Sequence, residues 1–156
     1  MAKECYAAAK ALSKEYWSLK NYTLVVEKKR KGLIQQIRKQ NNTGGPLALF
    51  SANVFNSYPV SEQDKSLIED YLEAKEKIYI VEKGIAQMED GEWKEIAKDQ
   101  IIAGMKSRDV MKKHSITSSK RDRAIREAVL QIAEWLAIMY DWKSKNSPEG
   151  GQINDP

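Results

Sequence analysis

SRDVMKKHSITSSKRDRAIREAVLQIAEW, residues 107–135, divides into a short helix, a polar turn and a longer helix whose first turns are crowded with Lys and Arg. Ser107 is placed to cap a helix from Arg108 to about His114, with Val110 and Met111 facing inward. Ser115-Ile116 makes the turn, and Thr117 or Ser118 caps the long helix. There Ile125, Ala128, Val129, Ile132, Leu136 and Met139 recur at spacings of three and four, a continuous apolar stripe. At about 100° per residue, Ser119, Lys120, Arg123 and Arg126 fall on the opposite half of that helix. This is the outline of a helix-turn-helix, a module that lays its second helix in the DNA major groove.

Residue chemistry assigns each cation a part. Arg can donate two parallel hydrogen bonds to guanine O6 and N7, so Arg123 and Arg126 are the leading candidates for reading bases. Ser119 and Lys120 suit either bases or phosphates. Lys106, Arg108, Lys112 and Lys113 lie on or before the first helix of the pair, which crosses the DNA backbone, and suit phosphate contacts that position without specifying sequence. Arg121 falls near the apolar stripe, where its stem can follow the core edge while its head reaches a phosphate. The competing explanation is a solvated helix face, the ordinary fate of exposed charge.

Upstream, Glu92–Met105 has an apolar stripe of Trp93, Ile96, Ala97, Ile101 and Ile102, with Gly104 as a C-terminal stop. Before it, Ser61 caps an acidic helix with Leu67, Ile68, Tyr71, Leu72, Ile78, Tyr79, Ile85 and Met88 on its inner face. That helix repels DNA and suits packing against a basic helix, the N-terminal one or that of a second copy, or contacting another protein. From about Lys3 to Gln40 there is no Pro, and Leu12, Leu19, Val26 and Leu33 recur every seven residues, with Tyr16, Tyr22 and Ile37 on neighbouring turns. A long amphipathic helix is predicted. Its seam, half polar through Lys29, Arg30 and Gln36, either joins two copies as a homodimer or packs on its own chain.

These pieces predict an all-α protein. Residues 1–42 form a helical arm, 43–60 a Gly/Pro/Ser/Asn-containing connector, 61–143 a helical domain with the helix-turn-helix at 107–135, and 144–156 a disordered tail. Charge follows the same division. Residues 1–61 carry ten Lys/Arg against three Glu, 62–95 five against eleven, and 106–126 eight against two, so the net +4 conceals two basic blocks.

The composition also argues against chemistry. With one His, one Cys, no Gly-rich phosphate loop followed by Lys and no metal-ligand spacing, neither an enzyme nor a cofactor or metal site is expected. His114 reads as a helix-end residue, Cys5 as a small helix-face residue, and Glu69, Asp70 and Glu73 as a solvated acidic face. No apolar run approaches the ~18 residues of a membrane span, so a cytoplasmic location is expected, with no membrane partner.

The acidic helix IEDYLEAKEKIYIVEKGIAQM, the helix EWKEIAKDQIIAGM, the helix SRDVMKKHSI and the final helix TSSKRDRAIREAVLQIAEWL together resemble the ArpU/RinA-like late transcription regulators of Gram-positive phages and prophages. Their C-terminal part is similar to region 4 of a bacterial sigma factor. Two positions depart from that family: its turn commonly carries Leu-Gly before an Ile, where this chain has His114-Ser115-Ile116, and its reading helix often has an apolar residue where Arg121 stands. The resemblance implies a sequence-specific double-stranded DNA-binding activator of late genes, working in the host bacterial cell alongside host RNA polymerase. A second class also joins a helix-turn-helix to oligomerising helices: the small terminase subunits that recognise DNA for packaging. The heptad spacing of the N-terminal helix motivates it here.

Overall fold

The computed structural model describes residues 2–40 and 61–146, and among these every regular element is helical. Helix α1 runs Ala2–Lys29 and α2 Lys31–Gln40, with only Arg30 between them. Helix α3 spans Glu62–Ala86, α4 Glu92–Ala97, α5 Ser107–His114 and α6 Ser118–Asn146. Helix α4 passes directly into a π-helical turn, Lys98–Ile102. The connector expected at 43–60 lies outside the described residues, as does the chain from 147 onward. Among the described residues no helix is long and apolar enough to cross a membrane.

The described residues divide into two compact units, one of 2–18 with 77–139 and one of 19–40 and 61–76 with 140–146. In the second, Val26, Ile34, Ile68, Tyr71 and Leu72 form a buried cluster edged by Tyr22, Leu33 and Leu67. Charges bracket it. The Tyr71 hydroxyl donates to Glu27 at 2.5 Å, and Arg30 pairs with Asp64 at 2.8 Å. Polar contacts of both polarities thus join α3 to the N-terminal segment of its own chain, Arg30 to Asp64 in one sense and Lys75 to Glu27 at 3.5 Å in the other. Ser61 caps α3 as expected, its Oγ accepting from the Asp64 N–H at 3.1 Å.

In the first unit α1 buries Cys5, Ala9, Leu12 and Tyr16, and α6 buries Ala128, Val129, Ile132, Ala133, Leu136 and Met139. Helix α3 buries Ile78, Ile80, Val81 and Ile85, more of its circumference than one stripe. The reason is that it has two neighbours. Tyr16 of α1 donates its hydroxyl to Glu82 at 2.5 Å, while Gly84 lies against Ile132 of α6 and Tyr79 meets Trp135 edge-on. Burial, then the bond to Glu82 and its charge, push the Tyr16 hydroxyl above its ordinary pKa.

A second cluster in this unit unites three successive helices: Ile96 of α4, Val110 of α5 and Ala124 of α6 have no exposed surface, and Met105 and Ile116 close around them. Burying an Ile or Val contributes about 1.5–3 kcal/mol, against about 0–1 kcal/mol for an exposed ion pair. This apolar knot therefore sets how α4, α5 and α6 meet. Trp93, expected on the α4 stripe, lies 41% exposed instead. It stands in the first turn of a helix of only six residues, ahead of the turn that reaches the core.

The turn between α5 and α6 is a left-handed helix stop. Ser115 has φ 53° and ψ 50°, the Ile116 N–H bonds to the Met111 carbonyl and the Ser115 N–H to that of Lys112, the pattern of a Schellman motif. Thr117 then caps α6, its Oγ1 accepting from the Lys120 N–H at 3.3 Å. Ser107 does not cap α5 as expected; it is the first helical residue, and extended Lys106 holds the cap position without a side-chain bond. An L-residue in the left-handed region costs about 1–2 kcal/mol. Ser115→Gly is accordingly expected to raise stability by about 0.5–1 kcal/mol after allowing for the freer unfolded chain. A urea midpoint that falls would mean Ser115 makes a contact glycine cannot replace.

Candidate nucleic-acid interface

Helix α6 presents two faces of opposite character at its start. Ala124 and Ala128 are fully buried, and Ser119, Arg123 and Arg126 on the other side are exposed. Helical geometry places these three within an arc of about 60°. Arg123 and Arg126 make no ion pair among the described residues, so the guanidinium groups are available to a ligand. Lys120 flanks them and is held at 2.7 Å by Glu92 from the first turn of α4. Both partners of that pair are nearly half exposed, a geometry in which exchange for another anion is inexpensive.

Arg121 turns the other way. At about 100° per residue it falls at the centre of the buried face, and its side chain is 18% exposed. One terminal nitrogen donates to Gln100 Oε1 at 3.1 Å and the other to Asp122 Oδ1 at 2.7 Å, while Nε is buried with no partner. The guanidinium that sequence assigned to a phosphate is engaged inside the protein. It ties α6 to the π turn.

That turn is the hub of the site. The Ala103 N–H reaches back to the Lys98 carbonyl at 2.8 Å, and the Met105 N–H to that of Asp99 at 3.0 Å. The wider coil directs neighbouring side chains to different helices: Gln100 to Arg121 on α6, Asp99 to α5. Asp99 Oδ2 lies 2.6 Å from His114 Nε2 and 3.0 Å from Lys113 Nζ. Gly104, at φ 73°, ends the turn, and a Cβ there would collide with the Trp17 indole nitrogen. Neither Asp99 nor Gln100 stood out in the sequence, because a π turn has no residue signature and their partners lie 15 and 21 positions away.

Of the α5 cations, Lys113 is thus paired, while Lys106, Arg108 and Lys112 are exposed and make no ion pair among the described residues. The structure brings Ser119, Lys120, Arg123 and Arg126 onto one side of α6. It separates Arg121 from them.

Burial pushes the Asp99 carboxyl up, but hydrogen bonds from His114 and Lys113, with their charges, outweigh it and hold the group below the ordinary carboxylate value. A depressed carboxylate stabilises the fold above its unfolded pKa, near 4, and loses that contribution as pH falls through the folded value. Asp99→Asn should therefore be less stable than the parent above about pH 4, with the gap closing on further acidification. Urea midpoints across the acid range measure this. A gap constant with pH would show the charge of Asp99 to be irrelevant.

Comparison of the chain with family models, with curated proteins and with solved structures finds no match.

Proposed function

We propose that the protein is a sequence-specific double-stranded DNA-binding regulator whose helix-turn-helix is α5, the Ser115–Thr117 turn and α6. The observation that carries this is the two-faced start of α6: Arg123 and Arg126 exposed and unpaired among the described residues, with Ser119 beside them, on a helix whose opposite face is locked to α4 and α5 through Ala124. Rigid mounting matters because bidentate readout tolerates little displacement. Lys120 joins the contact by exchanging Glu92 for DNA, and Lys106, Arg108 and Lys112 supply phosphate contacts. Lys113 and Arg121 act as positioning residues through Asp99 and Gln100.

The left-handed Ser115 also favours the resemblance to the ArpU/RinA-like regulators and to sigma factor region 4, since it stands where the turn of that family carries glycine, the residue suited to positive φ. On this reading the protein activates phage or prophage late genes alongside host RNA polymerase. A packaging protein of the small-terminase kind needs the heptad seam of the N-terminal helix for oligomerisation. Leu12 and Val26 of that seam are buried within the chain, which removes them from an oligomer interface and favours the regulator.

Selecting fragments of the source genome on the purified protein tests the proposal. Enrichment of one promoter is the expected result. Enrichment at a packaging site would transfer the assignment to the alternative, and no enrichment at low salt would end both.

A further inference from the structure

We infer that α1 forms part of the DNA contact: a groove between α1, the α4–α5 loop and the start of α6 holds the sugar-phosphate backbone beside the bases read by α6, with Lys10 and Lys14 as its second wall. This rests on the DNA-binding proposal above and extends it to residues that sequence assigned only to an amphipathic arm.

The groove encloses about 670 Å³ and lies wholly within the unit formed by residues 2–18 and 77–139. Four cations from three elements line it: Lys10 and Lys14 of α1, Lys106 before α5, and Arg126 of α6. None of the four makes an ion pair among the described residues. The one carboxylate in the lining, Asp122, is already bonded to Arg121 at 2.7 Å. A cleft walled by one sign of charge focuses its field on an oppositely charged ligand. Like charges four apart on a helix repel, so the Lys10–Lys14 pair, facing two further cations, is stabilised by an anion between the walls.

Two observations select a nucleic-acid backbone as that anion. Arg126 belongs both to the groove and to the exposed face with Ser119 and Arg123, so the groove continues the proposed reading surface. The α1 wall is also fixed in place: Trp17, one turn beyond Lys14, packs its indole on Gly104, the residue that ends the π turn. Helix, loop and reading face thus form one mounted surface.

The test compares salt titrations of binding for the parent, Lys10→Gln/Lys14→Gln and the charge-keeping Lys10→Arg/Lys14→Arg, using an enriched duplex and a mixed-sequence duplex. Each phosphate contact contributes about 0.9 to the slope of log K against log salt. The Gln variant is therefore expected to lose about 1.8 in slope and roughly tenfold or more in affinity near 0.1 M salt, alike for both duplexes. The Arg variant is expected to keep both. A Gln variant with parental slope and affinity would overturn the inference while leaving the DNA-binding proposal standing. A parent that binds neither duplex at about 50 mM salt would overturn that proposal and this inference with it. Polyglutamate displacing either duplex as effectively as DNA of equal charge would reassign the groove to an acidic polypeptide.

Discussion

Gly84→Ala is expected to lower stability by about 2–3 kcal/mol, although on an exposed helix the same change would stabilise by about 1 kcal/mol. The sign reverses because of what the new methyl group meets. A Cβ on Gly84 would lie 2.7 Å from the Ile132 Cα and 2.8 Å from its backbone nitrogen. Neither atom can rotate away as a side-chain tip would, so α3 and α6 must separate. Their separation loosens the burial of Ile80, Val81 and Ile132 together. For a chain of this size each kcal/mol corresponds to about 2–4 °C in Tm, so thermal unfolding should show a fall of roughly 5–10 °C. A rise in Tm by the propensity amount would mean that α3 and α6 do not approach so closely.

The double change Arg123→Ala/Arg126→Ala is expected to leave the fold intact and weaken sequence preference sharply. Both side chains are exposed and make no ion pair among the described residues, and surface changes of that kind alter stability by about 0.5 kcal/mol or less. Each bidentate contact to guanine discriminates by about 1–3 kcal/mol. Losing both should reduce the ratio of specific to non-specific affinity by at least about thirtyfold. Competition binding between an enriched duplex and a mixed-sequence duplex measures that ratio directly. A preserved ratio would place the reading face elsewhere; a loss of affinity equal for both duplexes would make these arginines phosphate contacts. The pattern differs from that expected for Lys10 and Lys14, where affinity falls and preference stays.

Much of the helical layout was legible in the sequence because its signals are local. Ser61 and Thr117 bond to their own helices three residues on, and the apolar spacing of α6 identified its buried face. The near-continuous helix from Ala2 to Gln40 followed from the absence of Pro. Less legible was how many neighbours a helix has. Ile80 and Ala133 lie off the expected stripes and are buried, because a second packing partner widens the face that must be apolar. Trp93 erred in the opposite direction, since periodicity marks a direction on a helix and says nothing of whether the core extends that far along it.

Local residue chemistry is enough to make the chain helical, to start α3 and α6 where they start, and to concentrate positive charge around α5 and the start of α6. These are consequences of nearest-neighbour chemistry, capping, backbone freedom and periodicity, acting over a few residues. Which cations remain available depends instead on contacts made in the folded chain. Arg121, Arg123 and Arg126 are the same residue type within two turns of one helix. Arg121 is withdrawn because Gln100 reaches it from a π turn 21 positions away, whereas Lys113 pairs with Asp99 of the same turn from an exposed position. Only folding could bring Lys10 and Lys14 to the groove that Arg126 lines, because contacts across more than a hundred residues have no local signature.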